Sequence, residues 1–155
     1  LGALVALAEL GLEVRRTIAA PAEVLFDHIV LMQEPERWLA YYWGHRFLGD
    51  DPRGPGVSYD ETFRFMTIRV RTVHYQPGER WVASIDRISV PLATTMSEDI
   101  TFLAGAGGTE MTWLLHFDPP KVLAPVAPLL EPFFRDMFSR SLRRLARLTE
   151  DLPAR

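Results

Sequence analysis

The sequence contains no cysteine. That absence excludes disulfide bridges, thiolate nucleophiles and Cys-ligated metal, and it fits a reducing compartment, so a cytoplasmic location is expected. Charge of one sign is also lacking: 17 Lys and Arg stand against 20 Asp and Glu, a net charge of −3. With no basic excess to neutralise a phosphate backbone, nucleic acid is not expected as a partner. Long hydrophobic runs are missing too. The apolar opening, residues 1–12 (LGALVALAELGL), is too short to cross a bilayer and has neither the basic flank nor the cleavage site of a signal peptide. Residues 1–11 are therefore expected to form an N-terminal extension, either a non-native start or a short helix packing on the domain or a partner. No His pair has the i, i+4 spacing of a helical metal site, and no Gly-x-Ser-x-Gly, phosphate loop or dinucleotide fingerprint occurs, so neither metal nor nucleotide cofactor is expected.

What is present is an ordinary globular composition, 48% hydrophobic and 24% charged over 155 residues, enough for one domain with a real core, expected over residues 12–152. Leu12, Val14 and Ile18 alternate with polar residues as in a half-buried strand. Pro21 and Glu23 suit a first helical turn, predicting a helix over 21–30 that buries Leu25, Phe26 and Ile29. A second helical turn is expected at Pro35 to Trp38, followed by an aromatic strand over 41–48 and a polar turn over 49–56. Strand patterns cover 57–65, 67–76, 80–89, 93–103 and 109–117, broken at Met66, at Pro77-Gly78 and at Gly105 to Gly108. Residues 133–152 are free of Pro and Gly, and Phe134, Met137, Phe138, Leu142, Leu145 and Leu148 recur at spacings of three or four. The expected fold is α+β: a curved antiparallel sheet of about seven strands wrapped around a long C-terminal helix, with two short helices after the first strand.

Four short motifs occur in one order. Ile18-Ala19-Ala20-Pro21-Ala22-Glu23-Val24-Leu25-Phe26 resembles the "I-x-A-P-x-E-x-V-W" helix entry of the START-like helix-grip superfamily, which includes polyketide cyclases/dehydrases and lipid-transport proteins. Pro35-Glu36-Arg37-Trp38 is similar to its "P-x-x-W", Tyr75 to Arg80 to its "Y-x-P-P-x-R" hairpin, and Gly108 to Trp113 to its "G-T-x-V-x-W". The resemblance implies a cavity between sheet and C-terminal helix that holds a small hydrophobic molecule such as a lipid, isoprenoid or polyketide-like compound. The motifs themselves mark turns and packing, so a reaction does not follow from them.

Candidates to line the cavity are Tyr59, Phe63, Phe65, Trp81, Phe102, Trp113 and Phe117 from strands and Phe134 and Phe138 from the helix. Plain core packing is the competing explanation. Polar residues on the apolar parity carry more information, because a buried charge must be paired or neutralised. Glu61, His74, Arg87 and Glu98 qualify, with Glu61–Arg87 a candidate pair, and these four are the catalytic candidates if the chain is an enzyme. Strand bulges would turn any of them outward. His28 and His45 are placed near the cavity entrance and His116 toward solvent.

Three functions compete: a carrier of a small hydrophobic molecule, a polyketide cyclase/dehydratase-type enzyme using acid/base residues in the same cavity, or an interaction protein using the N-terminal segment and the Pro-rich 119–132 stretch. The basic side of the last helix (Arg135, Arg140, Arg143, Arg144, Arg147) is a candidate for contact with an anionic membrane surface, against the alternative of a solvated face. No pattern specifies an oligomeric state.

Overall fold

The structure, a computed structural model, describes residues 10–150. The expected N-terminal extension lies almost wholly outside the described residues, since the first strand starts at Leu10. The chain runs β1 (Leu10–Ile18), α1 (Ala22–Val30), α2 (Pro35–Trp38), β2 (Tyr42–Phe47), β3 (Ser58–Phe63), β4 (Thr67–Gln76), β5 (Arg80–Ile88), β6 (Thr95–Gly105), β7 (Gly108–Asp118) and, after two short 3-10 turns, α3 (Leu130–Glu150). The strands form one antiparallel sheet in the order β1-β7-β6-β5-β4-β3-β2. Consecutive strands from β2 to β7 are neighbours because short turns join them, whereas β1 crosses to the far edge. The two short helices carry the chain from one edge to the other, so the sheet curls around what lies between.

What lies between is α3. Its inward residues Phe134, Met137, Phe138, Leu142 and Leu145 are all buried, each stabilising the fold by roughly 1.5–3 kcal/mol on burial. Trp113 meets Phe138 with ring centroids 4.4 Å apart, and Phe117 meets Phe134 edge-on at 5.7 Å. The helix starts at Leu130, earlier than the Pro-free run suggested, because Pro132 falls in the first turn, where a missing N–H costs nothing. Ser141 fixes its position: the hydroxyl donates to the Met137 carbonyl at 2.8 Å and accepts the Ala40 N–H at 3.0 Å. No described helix is long and apolar enough to cross a membrane. On its outer side Arg135 and Arg140 pair with Glu131 and Asp136 one turn away.

The Gly108-Thr109 segment fastens the opposite end. Thr109 donates to the Ala20 carbonyl at 2.8 Å, and Gly108, at φ +121°, lies so close to β1 that an added Cβ would stand 2.2 Å from the Ile18 carbonyl oxygen. Only glycine fits there. Gly108→Ala should lower stability in urea by about 2 kcal/mol or more; a loss under about 0.5 kcal/mol would show that the β6–β7 turn is not clamped against β1.

Candidate functional site

The inward parity of the sheet and the inner side of α3 face one another across a narrow cavity of about 30 Å³. Tyr59, Phe63, Trp81, Trp113, Phe134 and Phe138 line it, joined by Trp38, Leu39, two further aliphatic residues and four methionines, Met32, Met66, Met96 and Met137. Its polar contributors are Glu61 and Glu98. A water needs roughly 10–15 Å³ and drug-sized ligands occupy about 300–1,000 Å³. In this shape the space therefore takes about two waters, and a ligand enters only if the lining moves. Methionine is the side chain suited to that, with three rotatable bonds and no branch.

Each glutamate is there for a positional reason. Glu61 shares the inward parity of the buried Tyr59 and Phe63 along β3, and Glu98 shares that of the buried Met96 and Ile100 on β6. Glu61 is 7% exposed. Burial pushes its carboxyl up to about 8, with the like charge of Glu98 adding to the effect. Glu98 keeps partial surface exposure, yet burial of its carboxyl raises it to about 7. Neither shift has a hydrogen bond or a positive charge among its causes. The reason is on the other side of the sheet, where Arg69 pairs with Asp60, Arg71 with Asp86 and Arg80 with Asp99. Among the described residues no basic one lines the cavity. One further polar group is left over: the indole N–H of Trp113, a residue 4% exposed, has no hydrogen-bond partner among the described residues.

The expected inward placement of His74 and Arg87 is corrected by two bulges. The β4–β5 register shifts between Thr72 and His74, which leaves Val73 as the extra residue. Thr72 points inward and accepts the Trp81 indole N–H at 3.0 Å, while His74 is exposed and lies 3.3 Å from the Gln76 side-chain oxygen. A second shift, between Arg69 and Val70, pairs Val70 with Ile85 and Arg69 with Arg87. Asp86 is the extra residue, and Arg87 becomes exposed, so a Glu61–Arg87 pair does not form. Phe65 is 37% exposed and packs on Tyr41, Phe63 and Phe133 outside the cavity. Phe102 and Phe117 are buried but pack on Phe26 and Phe134 rather than lining the space.

Beside the cavity, His45 on edge strand β2 stands in register with Glu61, and its Nδ1 is 2.6 Å from the Tyr42 hydroxyl. Burial lowers the His45 ring below its usual value and raises Tyr42. The sequence pattern does not reveal Tyr42, because the Trp43 bulge that turns it inward is invisible without the β2–β3 pairing. His28 is buried elsewhere, donating from Nδ1 to the Val24 carbonyl at 2.8 Å, and His116 is exposed. Among the described residues no group of His, Asp or Glu could hold a metal ion.

The raised carboxyls have a consequence for stability. A group whose folded pKa of about 8 exceeds its unfolded value near 4.5 binds its proton more tightly when folded. It contributes stability that is complete below the unfolded value and is lost as pH rises through the folded one. Stability should therefore fall from pH 5 to about pH 8, and Glu61→Gln should remove much of that slope, gaining about 2–4 kcal/mol relative to the parent at the upper end. Urea unfolding at both pH values checks this; parallel curves for the two proteins would contradict it.

No curated protein matches the chain. Among solved structures, the protein CV1439 from Chromobacterium violaceum aligns at a TM-score of 0.69 and 20% identity, covering 92% of this chain and 98% of that one. The ginseng major latex-like protein 151 from Panax ginseng aligns at 0.76 and 11% identity, covering 94% and 99%. The di-domain ARO/CYC StfQ from the steffimycin biosynthetic pathway aligns at 0.77 and 14% identity, covering 97% of this chain and 53% of that one. At such identities the likeness is one of fold, that of the START-like helix-grip superfamily. A match to the sequence family described as "Polyketide cyclase / dehydrase and lipid transport" extends over residues 10–150, and the chain belongs to that family.

Proposed function

We propose that the chain binds a small hydrophobic molecule, of lipid, isoprenoid or polyketide-like character, between the sheet and α3. The observation that carries this reading is the cavity itself. Aromatic and methionine side chains surround two carboxyls and a free indole N–H, an apolar wall with a few polar groups of the sort that orient a ligand. Tyr59, Phe63, Trp81, Trp113, Phe134 and Phe138 are the contacts we assign to it. The movable methionines let the narrow space widen around a guest.

A second reading, a cyclase/dehydratase-type enzyme, is favoured by one specific observation: two carboxyls poised at about 8 and about 7 face the same space. At neutral pH the first is mostly protonated and can donate, while the second is divided between acid and base. In that role Glu61 acts as general acid and Glu98 as general base. His74 and Arg87, exposed on the outer side, are not assigned a part.

Native mass spectrometry of the purified chain, with titration by hydrophobic compounds followed through tryptophan fluorescence, tests the first reading. Trp38, Trp81 and Trp113 all line the cavity, so binding should shift their emission, and Phe138→Ala and Trp113→Ala should each weaken affinity about tenfold or more. Emission unchanged by any compound, with no co-purifying mass, would contradict it. For the second reading, Glu98→Gln should abolish cyclisation of a synthetic polyketone while leaving its binding within about threefold.

A further inference from the structure

The charge inside the cavity is one-sided, and that narrows the ligand further. Glu61 and Glu98 face a space with no Arg, Lys or His among the described residues of its lining. Arg69, Arg71 and Arg80 of the neighbouring strands are held by outer-face carboxylates. Glu61 is more than nine-tenths buried, with no hydrogen bond among the causes acting on its carboxyl. Independently, the Trp113 indole N–H is buried without a partner in the same wall. Polar groups left open in this way are expensive unless something completes them.

We infer that the natural guest is an apolar base: a protonated amine on a hydrocarbon or aromatic body, its nitrogen held between Glu61 and Glu98 and an oxygen acceptor on the body meeting Trp113. This rests on the ligand-binding reading above and specifies its chemistry. An ammonium supplies the counter-charge that the protein withholds from the two carboxyls. The faces of Trp38, Trp81 and Tyr59, which line the same space, attract a desolvated cation. A carboxylate or phosphate ligand would find no cationic side chain among the described lining residues and would oppose ionisation of either carboxyl, and a metal ion would require a larger set of ligands than these two carboxyls.

The titratable groups near Glu61 are Glu98 on the same inner face of the sheet, Tyr59 on its own strand, and His45 opposite it on β2, with Tyr42 next to His45. Near pH 7 Glu61 is mostly protonated in the empty cavity. The ammonium enters charged and stays charged, so the Glu61 carboxyl proton, with the share that Glu98 at about 7 still holds, passes to the buffer as the ion pairs form.

The test compares three probes of equal chain length, n-octylamine, 1-octanol and octanoate, by tryptophan fluorescence and calorimetry. Octylamine should bind about tenfold or more tighter than octanol, with octanoate weakest. Glu61→Gln and Glu98→Gln should each erase most of the amine's advantage over octanol. Calorimetry of the unmodified chain in buffers of different ionisation enthalpy should show about one proton or more released per amine near pH 7, a readout that needs no variant to fold. Octanol binding as tightly as octylamine, or amine binding without proton release, would overturn the inference while leaving the ligand cavity standing. If none of the three probes binds, the inference and the ligand-binding reading fall together.

Discussion

A carboxyl group carried into an apolar interior must be neutralised, paired or returned to water. In this fold Glu61 and Glu98 are carried inward by the simplest device available, strand alternation, and the arginines that would pair them lie on the opposite side of the same sheet. The outer face is accordingly well compensated, with Arg69–Asp60 bidentate at 2.8 and 3.0 Å, while the inner face is not. Protonation is what remains, which is why both groups are driven toward neutrality. The two neutralised acids of the cavity follow from that one arrangement.

The closeness of α3 decides how much space those groups share. Ser141 pins the helix to Ala40, the backbone at the exit of α2, and Trp113 packs directly on Phe138. Both contacts keep the cavity narrow. Against them stand four methionines in the lining, contributed by α3, β6, the β3–β4 turn and the segment after α1. Such side chains rearrange with little loss of packing, so a site that is small when empty need not be small when filled.

Much of the architecture was legible in the sequence because its signals are local. Pro21 and Pro35 mark the two short helices, the Pro77-Gly78 and Gly105 to Gly108 breaks fall at hairpin turns, and the α3 stripe from Phe134 to Leu148 is the one that is buried. Parity also placed Glu61 and Glu98 on the inner face, since neither β3 nor the stretch of β6 around Glu98 contains a register shift. The same reasoning failed for His74 and Arg87, each just beyond a bulge, at Val73 and Asp86. A bulge is set by the pairing of two strands and leaves no periodicity behind. Cavity width was equally unreadable, because it depends on how closely a helix and a sheet approach.

The central claim is that the cavity holds two carboxyls without a counter-ion, and it can be observed directly. Titration of the side-chain carboxyl resonances in ¹³C-glutamate-labelled protein, assigned with Glu61→Gln and Glu98→Gln, should give two midpoints near neutrality, at about 8 and about 7. Both groups titrating near 4.5, the ordinary value for glutamate, would show that water or an unrecognised partner already satisfies them and would contradict the acidic character assigned to the cavity.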